Sequence, residues 1–535
     1  MVMKQNPFVN RLKCYRELNN RNKNFVNIDL YKLLLKEDAL VAGYEKIKKG
    51  ATTPGSDGTS LDLELDLDSF SRQRLEKLRD ALRNQSWQPN PFKRKRKRRI
   101  YTTKQNESEK RPLQGPEEKI VQAVMLMILE SIYEPIFLDT SFGWRPGKSV
   151  NNALKVISQQ YDGMTFAIEG EIKGMYDNIN HHTLVGLLRK RIKDERFIRL
   201  TWKMLRAGYL EVNKPSSSTF RGGGRGTPQG SIVSPILVNI YLHELDIFMK
   251  DKCLNLPTSH KRIRTPASEA LDNKIQVIKR RLPSLALKKR EKEEERLDSV
   301  KALKPLITKT SSKSLRVRTD LNPKNRISYQ RYADDFIIGV AGSFEFTNQL
   351  KGEIKDFLAT LHLNKETAKT KITNIRKEPA LFLGHIILID TSIRLAYVRP
   401  KGQSRHLKRV PGKLVKVQAP IPRIVNWLSA KGFCDRKGFP TSKKLWITQE
   451  DNQIIQNFNA TCRDLFSYYS GVNNKSYLQR IWYILKFSCA HTLANKHRCS
   501  LHKVFAKHGP QLKVNFGSSG EKSIALDQPI TKAAG

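Results

Sequence analysis

Acidic residues are scarce in this chain. Its 535 residues include 51 Asp or Glu against 97 Lys or Arg, a formal net charge of +46. So basic a chain repels itself unless a polyanion neutralises it, and phosphate backbones bind such a surface by releasing condensed counterions. The alternatives are a merely solvated basic surface or one drawn to a membrane. Both fit less well, because the cations run along the whole chain and no amphipathic anchor stands out, so nucleic acid is the expected partner. Long apolar runs are also missing. No stretch reaches the roughly 18 residues that a membrane span needs, and the N-terminus lacks the apolar core of a secretory signal. The expectation is an intracellular protein with no membrane partner. The six cysteines (Cys14, Cys253, Cys434, Cys462, Cys489, Cys499) lie far apart with no C-x-x-C pair, which excludes a disulfide framework and a zinc ribbon and leaves reduced thiols.

Apolar residues at 39% and aromatics at 8% suffice to build cores. The length suggests roughly two to four packed units. The first 25 residues are basic and nearly free of acid, which suits an organellar presequence or an RNA-binding arm equally. Residues 30 to 48 carry Leu30, Leu33, Leu34, Leu40, Tyr44 and Ile47 at helical spacing, and Thr53 to Gly58 reads as a turn. The cationic run 93–99 precedes the strand-like Ile100 to Thr103 and predicts a phosphate-tracking sheet edge. Residues 247–327 are charge-rich with sparse apolar positions (Ile275, Ile278, Leu282, Leu285), predicting a helical insertion across the surface. From about residue 401 the pattern is all-helical, with amphipathic stretches near 450–470 and from Tyr477 to Leu493; residues after Gln511 read as a frayed tail.

The sharpest feature is Tyr332-Ala333-Asp334-Asp335, with apolar residues on both sides. That pattern predicts a β-hairpin carrying two carboxylates at its turn. Adjacent carboxylates repel each other, a cost that makes sense if a divalent cation sits between them and a phosphate. Standing alone, the tetrapeptide would be read as turn chemistry. A second carboxylate strand follows from Phe166 to Ile172, whose alternation puts Glu169, Glu171 and Lys173 on one face. Paired with the hairpin, it could complete a three-carboxylate cradle for two metals. A glycine loop from Arg221 to Ser231 opens the helical-looking Pro235 to Leu242, which lets backbone approach a phosphate or base pair while Gln229 donates hydrogen bonds.

In order along the chain stand Arg111-Pro112-Leu113, Ser141-Phe142-Gly143-Trp144-Arg145-Pro146-Gly147, Glu171 to Ile179, Gly226 to Ser231, Tyr332 to Asp335, and Phe382-Leu383-Gly384-His385. This succession resembles group II intron reverse transcriptases over roughly residues 30 to 510, and Arg480 to Ser488 with His491 to His497 resembles the family's maturase segment. The resemblance implies an α+β right-hand polymerase, fingers and palm with an antiparallel palm sheet, followed by an all-helical thumb/maturase domain. The divisions it implies are 1–95 for an N-terminal helical extension and the start of the fingers, 96–400 for fingers and palm interrupted by the insertion, 401–511 for thumb/maturase, and 512–535 for a flexible tail.

By the same resemblance Glu171, Asp334 and Asp335 would hold two Mg²⁺ ions, and Lys104 and Arg111 would grip the triphosphate. Gln229 would sit beside the nucleotide, Tyr176 would exclude a ribose 2′-hydroxyl, and Arg145, Arg480, Lys496 and His497 would contact RNA. The implied partners are group II intron RNA, a primer/template duplex with a DNA target, and deoxynucleoside triphosphates. The implied compartment is an organelle, mitochondrion before plastid, or else bacterial cytoplasm. The family pattern has Asp where this chain has Glu171, and the extra methylene strains the near-octahedral shell that Mg²⁺ demands. A splicing-only RNA-binding factor on a retained polymerase scaffold is therefore the competing expectation, and a retron-like enzyme ranks last. Residues 512–535 contain no His or Cys, so the family's optional His-Asn-His endonuclease is not expected.

Overall fold

The structure is a computed structural model that describes residues 6–51, 72–96, 110–113, 115–214, 217–221, 224–227, 230–254, 256, 273–278, 280, 294–300, 325–363, 368–390, 393–398, 406–411, 414–516 and 522–527. The basic N-terminal segment forms α1 (Pro7–Arg21), capped by the Asn6 side chain and buried at Phe8 and Asn19. It packs on α3 (Glu37–Ala51) and on a later helix at Pro116–Tyr133, so it is part of the core rather than a detached arm. The predicted helix at 30–48 is broken in two, α2 (Leu30–Leu34) and α3, and the expected turn at 53–58 lies outside the described residues. After α4 (Arg72–Arg83) come strands β1 (Phe92–Arg96) and β2 (Lys110–Leu113), then α5 (Pro116–Tyr133). Helix α5 begins at a proline with Glu117 and Glu118 in its first turn and is buried nearly all round. Proline and acidic residues suit a helix start because the first N–H groups have no helical acceptor and the dipole favours anions there.

The next elements are α6 (Val150–Gln160), β3 (Phe166–Ile172), α7 (Met175–Asn178), α8 (His181–Arg189), α9 (Glu195–Arg206), β4 (Tyr209–Lys214), β5 (Ser217–Arg221) and α10 (Ser234–Leu254). One sheet has the order β2-β1-β4-β5, with β1 antiparallel to β2 and parallel to β4. The cationic run therefore starts in an interior strand, which corrects the expected sheet edge. It also corrects the division at 95/96, which would cut β1; Ile100 to Thr103 lie outside the described residues. Within the charged insertion, 273–278 and 294–300 are helical, bury Ile278 and Leu297, and follow α10, which itself runs through Leu254.

The central sheet has the order β6-β7-β3-β8, antiparallel throughout, from β6 (Arg326–Tyr332), β7 (Asp335–Ala341), β3 and β8 (Ala368–Asn374). Helix α11 (Phe344–Thr360) covers it together with α10 in one large core. A second core joins α6 to a sheet of β9 (Ala380–Phe382), β10 (His385–Asp390) and a later strand, β13. Strands β11 (Ile393–Val398), β12 (His406–Pro411) and β13 (Leu414–Gln418) continue past residue 401, so the all-helical region begins only at α12 (Ile421–Ala430). Helices α13 (Asp451–Tyr468), α14 (Leu478–Lys496) and α15 (Leu501–His508) complete a third core with α12. The expected frayed tail instead pairs as β14 (Val514–Phe516) with β15 (Lys522–Ile524) and buries Leu526 against that core. Among the described residues no helix is long and apolar enough to cross a membrane.

Candidate active site

The β6–β7 hairpin turns through Ala333 and Asp334, with Tyr332 paired to Asp335. Ala333 has φ of 55°, the left-handed region that a side chain resists. Two arrangements hold it there. Below the turn lies Gly143, where a Cβ would sit 2.2 Å from the Ala333 nitrogen. From inside, Arg331 Nη1 donates to the Ala333 carbonyl at 2.9 Å.

Arg331 is fully buried, and its Nε and Nη2 donate to the two Asp246 carboxylate oxygens at 2.8 and 2.7 Å. Nη1 also reaches Asn239 Oδ1 at 3.0 Å, Nη2 reaches Ser141 Oγ at 2.8 Å, and Tyr329 Oη donates to Asp246 at 2.8 Å. Asn239 in turn donates to the Gly143 carbonyl at 2.8 Å. One guanidinium thus joins β6, α10, the 141–144 loop and the carboxylate turn. Arg331, Asp246 and Asn239 are not among the residues that the sequence singles out. The sequence carries little signal for this, because β6 is Arg-Ile-Ser-Tyr-Gln-Arg-Tyr and its burial follows only from the fold.

Register brings Glu171 opposite Asp335 across β3 and β7, and Ile172 N–H donates to the Asp334 carbonyl at 3.1 Å. At the adjacent position a Cβ on Gly170 would lie 2.1 Å from the Phe336 ring, so only glycine lets the strands close there. Burial pushes the Asp334 carboxyl up, the negative charge of Glu171 pushes it further, and Arg331 acts against both. Glu171 is exposed, and among the described residues no three His, Cys, Asp or Glu side chains converge closely enough to hold an ion. The expected three-carboxylate cradle is therefore assembled at one end of the sheet but not closed. Glu169 does not supply the missing ligand. Its carboxylate accepts from Thr373 Oγ1 and from Leu381 N–H at 3.0 Å, which ties β3 to β8 and β9.

Tyr176 sits on α7, directly after Gly174 in the left-handed region. Its carbonyl accepts from Thr227 N–H at 2.6 Å, while Gly226 N–H donates to Ile179 at 2.8 Å. Gly226 has φ of 89°, and a Cβ there would press within 2.9 Å of the Tyr176 and Asp177 carbonyls, so the glycine loop docks flush on α7. The Tyr176 hydroxyl is pushed up to about 12, by burial first and then by Asp334, despite a hydrogen bond with Trp144. It is neutral at physiological pH. Lys104 and Gln229 lie outside the described residues, and Arg111 lies in β2 opposite Lys95.

The residues expected at RNA are placed differently from one another. Arg145 is buried, donating to Glu134 at 3.1 Å and to the Leu138 and Ser141 carbonyls at 2.7 and 2.8 Å, so it braces its own loop instead of facing RNA. Lys496 and His497 both clasp Asp451, at 2.6 and 2.8 Å, and so lock the end of α14 to the start of α13. Arg480 is exposed.

The helical unit reaches the carboxylate site through the β9–β10 turn. Tyr468 Oη donates to the Leu383 carbonyl at 2.8 Å, and the His385 ring packs against both the Tyr468 and Tyr469 rings, its centroid 5.2 and 4.8 Å from theirs. The Tyr468 hydroxyl is pushed up to about 12 by burial, with Tyr469, Tyr332 and Asp335 adding to the shift.

Residues 102–264 match the family described as reverse transcriptase (RNA-dependent DNA polymerase), and residues 413–532 match type II intron maturase. The chain is 35% identical over 488 residues to the group II intron-encoded protein LtrA of Lactococcus lactis subsp. cremoris, covering 89% of this chain and 76% of that one. It is 34% identical to a 91 kDa protein in a cob intron of Schizosaccharomyces pombe, covering 96% of this chain and 60% of that one. It is 29% identical to the mitochondrial protein ymf11 of Marchantia polymorpha, covering 75% and 56%. Both family segments lie in one chain and the likeness to LtrA spans most of each protein, so the chain belongs to the group II intron-encoded proteins, reverse transcriptases that are also intron maturases.

Proposed function

We propose that this reverse transcriptase adds deoxynucleotides to a primer at the sheet end where Glu171 and Asp335 face each other beside Asp334. In this reading α1–α5 and the β2-β1-β4-β5 sheet act as fingers, the central sheet as palm, and residues 421–511 as thumb and maturase. The observation that carries it is the buried support behind the carboxylate turn. A fully desolvated Arg331–Asp246 pair costs several kcal/mol per ion to bury unless its geometry is well satisfied, and here it braces the Asp334 turn.

The donors are all carboxylate oxygens, the chemistry that Mg²⁺ prefers, and reverse transcriptases as a family use divalent metal. Bound there, a pair of such ions would activate the primer 3′-hydroxyl and offset charge on the leaving pyrophosphate. The protein's own part is positional. The Gly143 floor and Arg331 hold Asp334 in place, Lys104 and Arg111 bind the triphosphate, and Gln229 borders the nucleotide. The neutral Tyr176 ring closes the space that a 2′-hydroxyl would need. Group II intron RNA is the partner of the helical unit, through Arg480 and the surrounding basic surface. A DNA target extends the activity to intron mobility, and the mitochondrion is the compartment.

The exposed Glu171 and the open cradle favour a second reading, a maturase whose polymerase site is weakened. Primer extension on an RNA template with Mg²⁺ decides between the two, run on wild type, Glu171→Asp and Asp334→Ala beside a splicing assay. Extension by wild type but not by Asp334→Ala supports the first reading. Extension by Glu171→Asp alone supports the second, and extension that survives Asp334→Ala refutes the site.

A further inference from the structure

Helix α9 has a two-faced sequence. Phe197, Ile198, Leu200, Thr201, Met204 and Leu205 are buried, and the opposite face carries Arg196, Arg199, Lys203 and Arg206. In most proteins such a stripe is simply solvated. Here it forms one wall of a groove of 590 Å³, within the roughly 300–1,000 Å³ typical of ligand sites.

Lys203 builds the second wall. Its Nζ donates to the Gln85 and Trp87 carbonyls at 2.7 and 3.0 Å, fixing the segment Gln88 to Pro91 alongside the helix. Beyond Pro91 the chain enters the basic strand β1. Trp202 lies half-buried between the walls, with the Arg206 guanidinium 4.5 Å above its ring and the His182 ring 5.0 Å away at its edge. The acids nearest in sequence are occupied: Asp194 caps the helix, and Glu195 forms a two-bonded pair with Arg189 at 3.1 and 2.9 Å. Among the described residues no carboxylate lies within 4.0 Å of the Arg199 or Arg206 guanidinium, although Glu195 is near enough to feel the Arg199 charge, and both arginines are exposed.

A stacked arginine and tryptophan next to a second unpaired arginine is the chemistry that takes an unpaired nucleotide. A base lies on the guanidinium–aromatic stack and its phosphates meet the free charges. A duplex would keep its base faces hidden. The groove is also connected to the nucleotide-side loop. The His181 ring touches Trp202 edge-on at 6.0 Å, and its Nε2 donates to the Gly226 carbonyl at 2.6 Å, in the loop that docks on Tyr176.

We propose that the Trp202–Arg206–Arg199 groove is a binding site for single-stranded RNA beside the polymerase centre. It rests on the polymerase reading only in taking that RNA to be the strand being copied or an unpaired strand of the intron. Both sources present the same base and phosphates, so the experiment separates them.

Affinity of the full chain is measured for primer/template duplexes with one or with roughly ten unpaired template nucleotides, and for intron RNA, across a salt series. Two variants are used, Trp202→Leu and the surface pair Arg199→Gln/Arg206→Gln. The second pair leaves the helix core intact. The expected result is about tenfold weaker binding of the long-overhang duplex by either variant, with the one-nucleotide duplex unchanged. The arginine pair should also flatten the log–log salt dependence by about 1.4, the value for two single-strand phosphates. Loss confined to intron RNA also upholds the groove and assigns it to the intron strand. Unchanged affinity and salt slope for both RNAs with the arginine pair overturns the proposal. Binding needs no nucleotidyl transfer, so an Asp334→Ala protein with the groove intact should bind the long overhang as wild type does. Failure of the polymerase reading is thereby kept separate from failure of this one.

Discussion

Arg331 offers a way to disturb the carboxylate turn from behind without touching a carboxylate of the site. In Arg331→Met, Asp246 remains in the core and, of its hydrogen bonds among the described residues, keeps the one from the Tyr329 hydroxyl. Removing one partner of a buried ion pair costs about 3–5 kcal/mol, a large part of the roughly 5–15 kcal/mol that holds a domain folded. A melting temperature lowered by about 10 °C is expected, and inactivity of that variant alone would say nothing about catalysis. Arg331→Met/Asp246→Leu removes both charges, and replacing a buried pair by apolar groups is often close to neutral. What stays missing is the donor to the Ala333 carbonyl, a charged hydrogen bond worth about 1.5–3 kcal/mol, at a residue whose left-handed backbone costs about 1–2 kcal/mol. Those two terms are comparable, so the turn relaxes once the donor is gone. Displacing a reacting group by about 1 Å costs on the order of a hundredfold in rate. Single-turnover primer extension, thermal melting and intron RNA binding are measured together. The double variant should melt near wild type, bind RNA within about twofold of wild type, and extend about a hundredfold more slowly. A double variant that is stable and extends at the wild-type rate refutes the claim that Arg331 positions the turn.

Gly143→Ala drives a methyl group to 2.2 Å from the Ala333 nitrogen; extension should fall by about a hundredfold or more, with stability lowered by about 1–3 kcal/mol, checked by the same kinetics and melts. Tyr176→Val removes the ring beside Asp334; incorporation of ribonucleotides relative to deoxynucleotides should rise at least about tenfold, since steric exclusion of a hydroxyl is the only barrier being lifted. In the helical unit, burial raises the Asp451 carboxyl but the hydrogen bonds from Lys496 and His497 outweigh it and leave it below the usual range. A depressed carboxylate contributes stability above its unfolded pKa and loses it as pH falls through the folded value. Asp451→Asn should therefore melt lower than wild type at pH 7, by the equivalent of about 1–2 kcal/mol given that His497 is partly exposed, and the difference should shrink as pH falls through and below the ordinary aspartate range.

What could be read in the sequence were features determined locally. The Tyr332–Asp335 hairpin follows from the Asp334-Asp335 pair set directly before the apolar run Phe336 to Val340, and the amphipathic spacing of α13 and α14 stands in the chain itself. The strands from 406 to 418 did not announce themselves. Their alternation is carried largely by Lys, Arg and Val, and pairing with β10 and β11 decides their state. Residues 514–516 and 522–526 looked like a tail because three-residue strands carry almost no periodicity, and it is pairing and the docking of Val514 and Leu526 on the third core that fix them.

At the site the difference between legible and hidden residues has a single physical origin. Carboxylates that act on solvent-borne substrates must be exposed or at a turn, and turns have sequence signatures. The groups that hold them are buried, and a buried polar group is satisfied only by partners that the fold supplies from afar. Arg331 and Asp246 are 85 residues apart, and Arg331 and Ser141 are 190 apart. Asp246 stands among Glu244, Lys250 and Asp251 on its helix and Arg331 beside Gln330 in its strand, so in sequence each looks like an ordinary surface residue. Together they form a neutral unit that fits a core, and each explains the other. The same logic removes Arg145, Lys496 and His497 from a simple basic-surface reading. Their sequence positions allowed either role, but with Glu134 and Asp451 already in contact, each has an internal counter-charge that RNA would have to displace. Arg199 and Arg206 form no such close ion pair among the described residues, Glu195 being hydrogen-bonded to Arg189 and only near Arg199, and on the same electrostatic grounds they are the better place to look for bound RNA.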